Sequence, residues 1–210
     1  MKKTSKALLL ALCAVLLVAA SVMGTMAYLT STTETVTNTF TVGKVAITLD
    51  EAKVDEMGTV VVDKDGNPVG RVTQNSYKLL PGHEYKKDPT VHVSADSEDC
   101  YLFVKVTNPL TGIEDSTATI ASQMTAEGWA VVDATNGIYV YGTATAPTVV
   151  KKGENHVVFE KIKVKGDVTD LSTYNEMQIT VVAYAVQKDG FEGKSASEIL
   201  TAVPFPSANP

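Results

Sequence analysis

The sequence predicts an all-β protein, an antiparallel jelly-roll-like sandwich with one or two short helices, and three observations carry that expectation. Beyond residue 27, Val and Thr supply 50 of 183 residues, and both side chains are branched at Cβ, which suits a pleated, half-buried surface better than a helix. Short apolar alternations recur along the chain, separated by Gly, Pro, Asn and Asp, as in sandwiches built from many short strands. A hydrophobic share of 44% with 7% aromatic residues excludes a wholly disordered chain, and 210 residues fit one domain with ample core.

The elements follow in order. Phe40, Val42, Val45, Ile47 and Leu49 mark a first strand, with Gly43 at the point where the alternation changes phase, the mark of a glycine bulge. Thr59 to Asp63 and Val69 to Thr73 flank Asp65-Gly66-Asn67-Pro68 and read as a hairpin. Leu79-Leu80-Pro81-Gly82 is a turn, and strands follow at Thr90 to Val93 and Tyr101 to Thr107, joined by the acidic loop Ser94 to Asp99. A helix is expected from about Asp115 to Glu127, with Ser116 as N-cap and Ile120 and Met124 four apart on one face. Strands at Trp129 to Val132, Ile138 to Tyr141, His156 to Val164 and Met177 to Gln187 bring the expected total to about nine, and Ser195 to Ala202 forms a short helix or turn. In the last strand both alternating faces are apolar, which assigns it a central position.

The N-terminus has its own chemistry. Lys2, Lys3 and Lys6 precede an uncharged, Leu-rich run from Ala7 to Ala27, the three-part pattern of a secretory signal peptide. The run is also long enough to span a bilayer, so an uncleaved anchor is the competing reading. Cleavage suits the small residues before Tyr28, after Ala27, or those ending at Ala20. Removing residues 1–27 leaves 15 Lys and Arg against 24 Asp and Glu, a balance that argues against nucleic acid as a partner. It also leaves one thiol, Cys100, expected as a buried small hydrophobe. The resulting organisation is a signal peptide over 1–27, an extended segment over 28–40, a single β-sandwich domain over 41–203 and a tail over 204–210. The C-terminal VPFPSANP has no sorting-type motif or hydrophobic tail, so covalent attachment to a wall is not expected.

No catalytic, cofactor or metal residues can be named from the sequence. His83-Glu84 begins like a zinc-protease helix, but Lys87 stands where the second His is required. Asp63-Lys64-Asp65-Gly66-Asn67 lacks the ligands of a calcium loop and reads as hairpin chemistry. Phosphate-binding loops, a nucleophile elbow and a Cys/His pair are all missing, so an enzyme is not expected. Trp129 reads as core or as a ligand platform.

The junction Thr25-Met26-Ala27-Tyr28-Leu29-Thr30, with Asn38-Thr39-Phe40-Thr41-Val42-Gly43-Lys44-Val45-Ala46-Ile47-Thr48-Leu49 after it, resembles the TasA and camelysin family. Leu80-Pro81-Gly82, then Lys86-Lys87 and the strands from Thr90 to Thr107, are similar to that family's next turn and strands. Leu29 and Ser31 depart from the family pattern, which commonly has Phe and Asp there. The resemblance implies export in a Gram-positive organism through a SipW-type signal peptidase. It further implies a jelly-roll subunit of an extracellular biofilm-matrix fibre, in which the N-terminal strand of one subunit adds to the next. An accessory or anchoring matrix protein would be a second partner, and the location would be the extracellular matrix or cell surface.

The residues themselves accord with donation. Tyr28 to Phe40 is Thr-rich and free of Gly and Pro, and Tyr28, Leu29, Val36 and Phe40 are available as anchors for strand addition. The plain alternative for this segment is a frayed leader. Two further functional readings compete: a monomeric adhesin or carbohydrate-binding module using Trp129, Tyr139 and Tyr141, and a camelysin-like metallopeptidase. For export, N-terminal sequencing of the secreted protein is expected to begin at Tyr28; a chain still starting at Met1 would establish the uncleaved anchor.

Overall fold

The computed structural model describes residues 6, 8, 10–17 and 43–206. The chain divides into two units, Met1–Thr41 and Val42–Pro210. In the first, residues 10–17 are helical and exposed, and among the described residues no helix is long and apolar enough to cross a membrane.

The second unit is an antiparallel β-sandwich curled into an incomplete barrel. Its strands are β1 (Ile47–Ala52), β2 (Arg71–Val72), β3 (Glu84–Lys86), β4 (Thr90–Val93), β5 (Cys100–Thr107), β6 (Trp129–Asp133), β7 (Ile138–Tyr141), β8 (Val149–Val150), β9 (Asn155–Val157), β10 (Lys161–Lys163) and β11 (Thr180–Gln187). Two short helices, α1 (Ile120–Ala126) and α2 (Ala196–Ala202), and a 3₁₀ turn at Ser172–Tyr174 complete it. One sheet runs β2-β1-β4-β9, a second runs β11-β5-β7-β6 with β8 beside β5, and β10 pairs β3 alone.

β5 is the longest buried strand. Its even-numbered side chains, Leu102, Val104 and Val106, pack inward with Cys100 against Val91, Val93, Val158 and Phe159 of the facing layer. Its odd-numbered Tyr101 and Phe103 point the other way, onto Val186, Ala196 and Ile199. Strand alternation thus serves two cores at once. α1 lays Ile120 and Met124 on the inner core, and α2 covers the outer one. Cys100 is fully buried, and burial pushes its thiol up to about 11, with the charges of Asp99 and Glu154 adding to the effect; it is the packed hydrophobe the sequence implied.

Several boundaries move. The first strand begins at Ile47 with no glycine bulge at Gly43; ahead of it, Lys44 and Ala46 already bond the 94–98 loop through their carbonyls. The first helix starts three residues later than a Ser116 N-cap would place it, because Thr119 is its N-cap and accepts a hydrogen bond from the Ser122 N–H. Asp115 instead turns back to bond Thr117. The expected strand from His156 to Val164 divides into β9 and β10, which join different partners. The turn around Gly66 is present, with Asp63 accepting from the backbone N–H groups of Asp65 and Asn67, but the runs flanking it meet only at an isolated Val62–Pro68 bridge, and Arg71–Val72 pairs with β1 instead. α2 carries the full capping box of Ser195 and Glu198. Between β6 and β7, Gly137 has φ of +66°, and a Cβ there would stand 2.2 Å from the Val106 carbonyl oxygen, so no other residue fits.

One correction bears on function. β11 is apolar on both faces, yet it stands at the end of its sheet, not in the middle. α2 and Phe205 cover its outer face, which explains the pattern without a second neighbouring strand.

Phe103→Ala is expected to cost about 3–5 kcal/mol through the cavity it opens in the outer core, while Val182→Ala on the half-exposed face of β11 should stay within about 0.5 kcal/mol; urea titrations of the two variants check this.

Candidate functional site

β11 pairs with β5 over its whole length on one side, and no described residue pairs with it on the other. β1 is similarly one-sided: Ile47 to Asp50 pair with β4, and only Glu51 and Ala52 meet β2. Ile47 and Leu49 of β1 and Val181, Ala183 and Ala185 of β11 pack on the same inner core, and the two strands run close together without forming a ladder. Among the described residues the barrel is therefore open along one seam. An edge strand directs alternate backbone N–H and C=O groups away from its partner, so among the described residues the seam presents donors and acceptors with no ladder partner beside an apolar interior.

At the end of the seam where Glu51 and Ile179 lie, the gap widens into a cleft of about 1420 Å³. Leu49, Leu79, Leu110, Ile179 and Val181 give it an apolar side. The opposite wall is polar and tightly bonded. Lys87 Nζ donates to Glu51 Oε2 at 2.6 Å, with side-chain exposures of 11% and 6%. Asn75 Nδ2 donates to Glu51 Oε1 and to the Ala52 carbonyl, both at 2.9 Å, and Asn75 Oδ1 accepts from the Val54 N–H at 3.0 Å. Lys87 Nζ also lies 5.8 Å from the Tyr77 ring centroid. Burial, with the Glu51 charge next, pushes the Tyr77 phenol far above its ordinary value.

The outward face of β1 carries a separate network. Arg71 bonds Asp50 and reaches Asp88 and Thr90, while His92 Nε2 lies 2.8 Å from Asp50 and its Nδ1 2.7 Å from Asn155. Burial would raise the Asp50 carboxyl, but the hydrogen bonds from Arg71 and His92 outweigh it and hold the group below its ordinary value. The Arg71 guanidinium is raised in turn: burial opposes this, and Asp50 and Asp88 prevail.

Residues singled out from sequence fall as follows. Ala27, Tyr28, Leu29, Val36 and Phe40 lie outside the described residues. Trp129 is 1% exposed and donates from Nε1 to the Val157 carbonyl at 2.7 Å, so it is core and no ligand platform. Tyr141 stacks between it and His156. The three histidines do not converge: His83 bonds the Met57 carbonyl and packs on Tyr85, and His92 and His156 sit on opposite faces of the β4–β9 pair. Among the described residues no group of three or more His, Cys, Asp or Glu could hold a metal ion. Glu51, Asn75 and Lys87 were not legible as a site, since they lie far apart in sequence and form no motif.

No family model, curated protein or solved structure matches the chain.

Because the folded pKa of Asp50 is lowered, its contribution to stability is fully present above the ordinary value of 3.8 and is lost as the pH falls through the folded value. Asp50→Asn should therefore lower the thermal midpoint at neutral pH and flatten its further fall below pH 3.8; circular dichroism melts across that range give the comparison.

Proposed function

We propose that the chain is a secreted structural subunit of an extracellular fibre, polymerising by donation of residues 28–40 to the β1–β11 seam of the next copy. One observation carries the reading: β11, with apolar side chains on both faces from Val181 to Val186, has no strand on its outer edge among the described residues. Such an edge is a template for strand addition, and a segment entering it exchanges water for ladder hydrogen bonds while its side chains fill the neighbouring interior.

The donor's composition fits the task. In an extended chain, alternate residues share a face, so Tyr28, Val36 and Phe40 project together and Leu29 projects opposite. The widened end of the seam offers an apolar side to such anchors. The donating segment precedes β1 in the chain, and donation to another copy joins the N-terminal segment of one copy to the seam of the next. A contact of that kind is head-to-tail and generates a filament unless the rotation closes a ring. The resemblance of the signal junction and first strand to the TasA and camelysin family supports the same reading, including export through a SipW-type peptidase and an accessory anchoring protein as partner.

Purified protein beginning at Tyr28 is expected to form filaments in the electron microscope, and protein beginning at Thr39 is expected to remain a folded monomer. A synthetic peptide of residues 28–40 should raise the thermal midpoint of the shortened protein. Identical filaments from the shortened protein would overturn the mechanism.

A further inference from the structure

We infer that Lys87 and Asn75 are a self-processing pair that joins into an intramolecular amide cross-link, with Glu51 carrying the protons. The inference stands apart from fibre formation, because all three residues belong to one folded domain and need no partner.

The arrangement supplies each part that amide exchange requires. Lys87 Nζ is the nucleophile, seated at 2.6 Å on one oxygen of Glu51. Asn75 Nδ2, the nitrogen that must leave, sits at 2.9 Å on the other oxygen of the same carboxylate. Asn75 Oδ1 accepts the Val54 backbone N–H at 3.0 Å, a fixed donor aimed at the oxygen where negative charge develops during attack. The amide orientation follows from its surroundings: only Oδ1 can face an N–H, and only Nδ2 can face the Ala52 carbonyl and the carboxylate together. The Glu51 and Lys87 side chains are both nearly closed to solvent, with exposures of 6% and 11%.

The reaction balances without an oxidant or cofactor. A proton passes from the Lys87 ammonium to Glu51, and the neutral Nζ adds to Asn75 Cγ to give a tetrahedral centre whose oxygen is held by Val54 N–H. The Cγ–Nδ2 bond then breaks. Over the whole sequence Nζ gives up two protons, Nδ2 takes both through Glu51 and departs as ammonium, and Glu51 returns to its carboxylate form. One Nζ–Cγ bond replaces one Cγ–Nδ2 bond. Holding nucleophile and electrophile against one proton carrier is the orientation effect that makes such an otherwise slow exchange practicable. Two ordered lysine-to-carboxylate pairs elsewhere, Lys86 with Glu160 and Lys161 with Glu84, are more exposed and have no carboxamide bonded to the same carboxylate.

The test is the mass of the intact folded protein, followed by tryptic fragmentation. The expected result is a mass lower than the sequence requires by one ammonia, and a branched product uniting residues 72–78 with residues 87–105, uncut after Lys87. Glu51→Gln should restore the full mass; tryptophan fluorescence reports whether that variant has folded, and the result for the unaltered protein stands in either case. A full mass in the folded unaltered protein would overturn the inference. So would an ammonia loss confined to a linear 72–78 peptide, which denotes a succinimide at Asn75.

Discussion

The β5–β11 ladder is the constraint on which the rest of the structure depends. Eight consecutive residue pairs, from Thr180 opposite Thr107 to Gln187 opposite Cys100, lock two strands whose side chains alternate between two apolar cores. A slip of one residue would move Leu102, Val104 and Val106 out of the inner core and Tyr101 and Phe103 into it. Trp129, Met124 and Phe159 gather on one face of this ladder, and α2 closes the other. Among the described residues, the outer edge of β11 and the matching edge of β1 are left without a strand partner.

That leftover edge connects the fold to its proposed use. In most sandwiches an exposed edge is short, charged or twisted away. Here it is eight residues long and apolar on both faces from Val181 to Val186, as in an interior strand. The cleft beside it adds a second property, since Glu51, Lys87 and Asn75 on its polar wall bond one another.

Much of the fold was legible in the sequence, for identifiable reasons. Thr90 to Val93 and Ile138 to Tyr141 alternate cleanly and are bounded by turn residues, and both strands occur where the pattern placed them. Ser195 and Glu198 stand at capping-box spacing, a purely local signal. Signals that depend on distant partners were less legible. β3 and β8 are three and two residues long and exist because β10 and β5 offer edges to them. The apolar faces of β11 reported covering on both sides but could not distinguish a helix on one face from a strand at each edge. The Glu51, Asn75 and Lys87 cluster had no local signature, because three common polar residues acquire a shared chemistry only after β1 and the segments before β4 fold together.

The position of β1 has a mechanical consequence. A pull along the chain ahead of Ile47 enters the domain at that strand and runs parallel to it, while Ile47, Thr48, Leu49 and Asp50 are held side by side to Val93, His92, Val91 and Thr90. Load applied in that direction is shared by the rungs at once and does not open them one after another as in a zip. With Lys44 and Ala46 bonded to the following loop and Arg71 clasping Asp50 from outside, the chain enters the domain through its most firmly anchored approach, and tension on it would meet resistance in shear.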